Sequence, residues 1–83
     1  MSKKEKQLKR FQEVPKDLTW DEFVSVLGGL GFEFRKRSGS RRAFYNPELN
    51  VTMFFHEPHP SSIVKVCYIR DAIAKLREYG LLP

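Results

Sequence analysis

Two imidazoles stand three residues apart in "FHEPHP", at His56 and His59, and they are the only histidines in the chain. Imidazole takes and gives protons near neutral pH, so such a pair can divide the work of a general base and a general acid. Upstream, "RKRSGSRRAF" places Arg35, Lys36, Arg37, Arg41 and Arg42 around a turn formed by Ser38, Gly39 and Ser40. A cluster of this kind concentrates polyanions and gives affinity that salt weakens. The same cluster also fits a solvated surface loop, and the two histidines also fit a polar strand end and a turn residue. Fixed cations such as Arg41, Arg42 and Lys65 would steady a transition state that gathers negative charge.

A metal site is the other chemistry that His, Glu and His can do. The spacing in "HEPH" differs from the helical H-E-x-x-H pattern, and Pro58 and Pro60 forbid a regular helix there, so no metal site is expected. Cys67 is the only cysteine, which excludes a disulfide or a cysteine-ligated zinc within the chain and reads as a small apolar helix residue. Trp20, Phe44, Tyr45 and Phe54 can stack on bases, although in so small a protein such rings also serve as packing.

The elements that must position these groups are short. Eighty-three residues make one domain with room for one core and one site. A 41% hydrophobic, 30% charged composition with net charge +5 describes a globular chain with a soluble, basic surface. No apolar run approaches a membrane span, and "MSKKEKQLKR" lacks the apolar stretch of a signal peptide, so the expected location is cytoplasmic, with no membrane partner.

Residues 1–15 form a charged N-terminal arm whose Leu8 and Phe11 allow a short helix ending before Pro15. Residues 16–83 form the single domain proper. Its first helix starts at Trp20, with capping-box spacing between Thr19 and Glu22, staple positions at Leu18 and Phe23, and Gly31 as the stop. Gly28 and Gly29 in its last turn mark either a close backbone approach or fraying. Strands follow at "FEFRKR", "RRAFYN" and "NVTMFFH" as a meander; the third is apolar on both faces, which predicts a well-covered strand. "IVKVCYIRDAIAKLREYG" closes the chain as an amphipathic helix with Val66, Ile69, Ile73 and Leu76 on one stripe, an Asp71–Lys75 pair and Gly80 as the stop. The expected fold is α+β in the order α-β-β-β-α, a two-layer sandwich with both helices on one face of the sheet.

"LTWDEFVSVLGGLGFEF", "SGSRRAFYNPELN" and "FFHEPHP", followed by a closing helix, together resemble the HicA-type mRNA interferase toxins over roughly residues 14 to 82. The resemblance implies a double-stranded-RNA-binding-domain-like fold, endoribonuclease activity on mRNA that needs neither metal nor cofactor, and neutralisation by a HicB-type antitoxin. Typical members carry the cleaving histidine just after the Gly-Ser of the turn. Here Gly39-Ser40 is followed by Arg41, so that role does not transfer to this position, and His56 and His59 are the candidates left. Metal-free RNA cleavage needs a base for the 2′-hydroxyl proton and an acid for the leaving 5′-oxygen. Glu57 can orient an imidazole, while Arg35, Lys36, Arg37, Ser38, Ser40, Arg41, Arg42 and Lys65 are the candidates for holding RNA. A noncatalytic RNA-binding module of the same fold, or a domain that docks an acidic protein partner, are the alternative functions.

Overall fold

The computed structural model describes residues 3–82. Helix α1 (Lys3–Gln12) precedes α2 (Trp20–Gly29), strands β1 (Glu33–Lys36), β2 (Arg41–Asn46) and β3 (Val51–His56), and helix α3 (Val66–Glu78). The strands form an antiparallel meander in the order β1-β2-β3. From α2 onward this is the α-β-β-β-α sandwich that the sequence predicts, with α1 added at its N-terminal end.

The ends of α2 follow from local chemistry. Thr19 accepts from the backbone N–H of Glu22, and the Glu22 side chain accepts from the backbone N–H of Thr19, which completes the capping box. At the other end the N–H of Phe32 donates to Leu27 and that of Gly31 to Gly28, a Schellman motif that places Gly31 at φ +97°. Helix α3 ends the same way at Gly80, through Leu81 to Leu76 and Gly80 to Arg77. Around Gly28 and Gly29 no atom lies within 4 Å of where a Cβ would sit, so neither glycine marks a close backbone approach. Helix α3 begins three residues later than its pattern predicts. Ile63 and Val64, both β-branched, instead pair with Thr19 and Leu18 in a short bridge.

Partners across an antiparallel ladder share a face. The register therefore puts Phe34, Phe44, Met53 and Phe55 on the side that meets the helices. Phe23 of α2 is fully buried at the centre of this contact. Its ring lies 6.0 Å from Phe11 of α1, 5.5 Å from Trp20, 5.7 Å from Phe44 of β2 and 5.1 Å from Phe55 of β3. The last two are edge-to-face, the geometry that aromatic quadrupoles favour. Helix α3 joins through Tyr68, whose ring is 5.6 Å from Phe55, and through buried Ile69, Ala72, Ile73 and Leu76.

One expectation for the sheet is corrected. Strand β3 is an edge strand, and only one of its faces is covered: Met53 and Phe55 are buried, while Phe54 is 45% exposed. The central strand is β2, where Ala43 on the outer face and Phe44 on the helix side are both buried. A run that is apolar on both faces does not reveal whether a second layer covers it: the third strand of a meander lies at the sheet's edge, and Phe54 is on the face turned away from the helices.

Polar contacts tie the ends together. Buried Asn46 accepts from the N–H of Leu49 and donates to the Leu30 carbonyl, joining the β2–β3 turn to the end of α2. Arg10 of α1 donates to Asp17 at 2.9 Å and to Glu22 at 3.2 Å. Its bond holds the Asp17 carboxyl below its ordinary range. For Glu22, burial pushes the pKa up, but bonds from Arg10 and Thr19 outweigh it and the net shift is downward. Among the described residues no helix is long and apolar enough to cross a membrane.

Phe23→Ala should destabilise the domain by about 3–5 kcal/mol in urea unfolding, the range for emptying a buried aromatic site. The depressed carboxyls give a second expectation. A carboxyl whose pKa is lower folded than unfolded stabilises fully above its unfolded pKa and loses that contribution as pH falls through the folded value. The stability gap between the parent and Arg10→Ala should therefore be largest near neutral pH and close below about pH 4, measured by urea midpoints across that range.

Candidate functional site

The site forms where the β1–β2 turn meets the end of β3. The turn is closed by the Arg41 N–H donating to Ser38 and the Arg37 N–H donating to Arg41. Gly39 sits at φ +60°, where a side chain would be strained. Beyond the last ladder pair, Arg41 with His56, the N–H of Glu57 donates to the Ser40 carbonyl at 2.8 Å, which carries the pairing one step past the strand.

Two side-chain contacts lock this corner. Ser40 Oγ and His56 Nδ1 are 3.1 Å apart, which fixes the imidazole and directs Nε2 away from the serine. Arg42 donates through Nε to Glu57 Oε1 at 3.0 Å and through Nη1 to the carbonyls of Gly39 and Arg41 at 2.7 and 2.9 Å. With its side chain only 13% exposed, Arg42 acts as a brace across the turn, and its planar fork matches several fixed acceptors in a way lysine does not.

The segment from Glu57 to Lys65 is tethered at both ends. At the far end Trp20 N–H donates to Ser62 at 2.7 Å and Val64 N–H to Leu18 at 2.8 Å, so the segment is joined to the capped start of α2. Between the tethers lies exposed His59, followed by a cis bond to Pro60. Turn and segment enclose an open cleft of about 390 Å³ on which Ser40, His56, His59, Lys65 and Tyr68 converge. A smaller hollow beside it, of about 250 Å³, is bordered by Gly39, Arg42, Glu57 and His59. Lys65 lies over the Tyr68 ring at 5.8 Å from its centroid.

The structure thus brings together His56, His59, Ser40 and Lys65, with Arg42 beneath them. Glu57 is engaged by Arg42, and the orienting partner given to His56 is Ser40. The remaining candidates lie elsewhere. Lys36, Arg37 and Ser38 are exposed on β1 and the turn. Arg35 and Arg41 lie on the sheet face away from the helices, over Tyr45 at 5.3 Å and over Phe54 at 4.4 Å. Trp20 and Phe44 are core residues, and Cys67 is exposed on α3. Tyr68, like Ser61 and Ile63, lines the cleft without being foreseen from the sequence. Its signal is its position three residues after Lys65, which one helical turn brings to the same side. Among the described residues no group of three or more His, Cys, Asp or Glu side chains is placed to hold a metal ion.

A family model described as the HicA toxin of bacterial toxin-antitoxin matches residues 20–81, from the first residue of α2 to just past α3, and so spans the whole cleft. No curated protein and no solved structure matches the chain.

Arg42→Ala should cost about 1–2 kcal/mol in urea unfolding, the range of a charge-assisted bond discounted for the partial exposure of Glu57. Arg42→Lys should recover less than half of that loss, because an ammonium cannot reproduce the fork. Full recovery by lysine would show that charge alone matters at this position.

Proposed function

The chain belongs to the HicA toxin family of bacterial toxin–antitoxin pairs, and from that premise we propose that it is a metal-independent endoribonuclease acting on mRNA, with His56 and His59 as its base and acid. The observation that carries this reading is the cleft itself, which collects two imidazoles and a lysine at the mouth of a basic turn.

The proposed chemistry is transesterification at phosphorus. In the tautomer whose Nδ1–H donates to Ser40 Oγ, His56 keeps its lone pair on Nε2 and takes the proton of the 2′-hydroxyl. The 2′-oxygen attacks the adjacent phosphorus, and charge gathers on the phosphorane oxygens, where Lys65 stabilises it. His59, protonated, delivers its proton to the 5′-oxygen as the P–O5′ bond breaks. The products are a 2′,3′-cyclic phosphate and a 5′-hydroxyl. Exposed Lys36 and Arg37 draw the phosphate backbone toward the turn.

Arg41 occupies the place where the family resemblance implies the cleaving histidine. Its paired residue across the ladder is His56. Side chains at paired positions start about 5 Å apart at Cβ. An imidazole on β3 therefore works in the same neighbourhood as one on β2, which supports His56 as the replacement. A HicB-type antitoxin is the proposed partner that holds the activity in check.

Purified protein given a labelled mRNA fragment in EDTA should cut it, and His56→Ala and His59→Ala should each lose about 10²- to 10⁴-fold in rate. The melting temperature of His59→Ala should stay at the parent value, because that side chain is exposed, whereas His56→Ala gives up the contact with Ser40 and should lower it slightly. Cutting by the double variant at the parent rate would place the chemistry elsewhere. Absence of cutting by the parent, with salt-sensitive RNA binding kept, would make the chain a noncatalytic RNA-binding module.

A further inference from the structure

The sheet face turned away from the helices has no covering layer, and its composition is unusual for an idle surface. Register places Arg35, Ala43 and Phe54 in one row across it, with Arg41 and His56 in the next. Ala43 is fully buried even here, so the long side chains around it lie down over the sheet. Among the described residues two large hydrophobic side chains are exposed, and Phe54 is the more so, at 45% against 39% for Leu49. Arg41 lies 4.4 Å from the centre of the Phe54 ring, and Arg35 lies 5.3 Å from that of Tyr45. Each pair is a flat cation beside a flat ring.

Such pairs suit one ligand better than others. A nucleotide offers a base that stacks on an aromatic ring or a guanidinium plane, and a phosphate that the same guanidinium attracts. An acidic protein segment would use the charge and leave the rings without a role. A duplex keeps its base faces stacked inside, so the ligand must be single-stranded. Successive rows on one face are about 6.7 Å apart along a strand, room for one unstacked nucleotide each. The Arg41 row ends at His56, which lines the cleft. Glu33 pairs with Arg35 at 3.6 Å, leaving the cationic end of the face at Arg41, next to that cleft.

We propose that the solvent face of the sheet is a stacking platform for single-stranded RNA, on which one base rests at Arg41–Phe54 and another at Arg35–Tyr45 as the strand runs into the cleft at His56. This deepens the RNA-cleaving reading and rests on it for the direction of the strand.

The test separates binding from cutting by using a fluorescein-labelled, unstructured 2′-O-methyl oligoribonucleotide, which lacks the 2′-hydroxyl nucleophile. Fluorescence anisotropy should show Phe54→Ala binding it about 5- to 150-fold more weakly, the loss of one stacked base, and Phe54→Tyr binding it like the parent. A fully abasic strand of the same phosphate count should not distinguish the parent from Phe54→Ala. Equal binding of the base-bearing strand by the parent and Phe54→Ala overturns the platform, and so does failure of the parent to bind it. If Phe54→Ala cuts RNA and binds the strand as the parent does, the catalytic reading stands and the face belongs to a protein partner. If the parent cuts nothing yet binds in a Phe54-dependent way, the platform stands and the catalytic reading fails.

Discussion

Phe23 is the point at which helices α1 and α2 and strands β2 and β3 meet, and most of the molecule's form depends on that one buried ring. A domain of this size has a total stability of only about 5–15 kcal/mol, so a cluster worth several kcal/mol at one side chain accounts for a large share of it. Because the cluster around this ring, extended to α3 through Phe55 and Tyr68, holds every helix on the same face of the sheet, the other face is left to solvent. The sheet's ends, beyond the aromatic cluster, are held by different means.

Those means are polar and sit at the site. Arg42 braces the β1–β2 turn, Ser40 orients His56, and backbone bonds from Trp20 and Val64 fasten the segment that carries His59 to the start of α2. The capping box at Thr19 therefore has two roles, starting α2 and fixing the strand-like stretch on which the far wall of the cleft hangs. A net charge of +5 does not measure what is available to a ligand. Arg10 and Arg42 are engaged by carboxylates of the same chain, while Lys36 and Arg37 remain exposed at the turn.

Local signals were readable in the sequence where the physics is local. The capping box, the stop at Gly31 and the alternation of Phe32 and Phe34 with Glu33 and Arg35 depend on neighbours within a few residues, and β2 spans the stretch its pattern predicts. Non-local facts were not readable. A meander puts Val51–His56 at the edge of the sheet, but whether a layer covers the outer face depends on packing far along the chain, and the exposure of Phe54 follows from that. The site divides in the same way. His56 and His59 stand out by type and spacing, but the Ser40–His56 contact joins residues sixteen apart, and nothing in "GSRR" separates the bracing Arg42 from Arg41 on the outer face. Only the alternation of side chains on an assigned strand does so.

The central claim is that two histidines cut RNA through its own 2′-hydroxyl, and the ends of the cut strand test it most directly. Mass spectrometry of RNA cleaved by the parent protein in EDTA should find 5′-hydroxyl ends and 2′,3′-cyclic phosphates. Fragments bearing 5′-phosphates and free 3′-hydroxyls would contradict it, since they require attack by water from the opposite side of the bond and leave the proposed base without its proton.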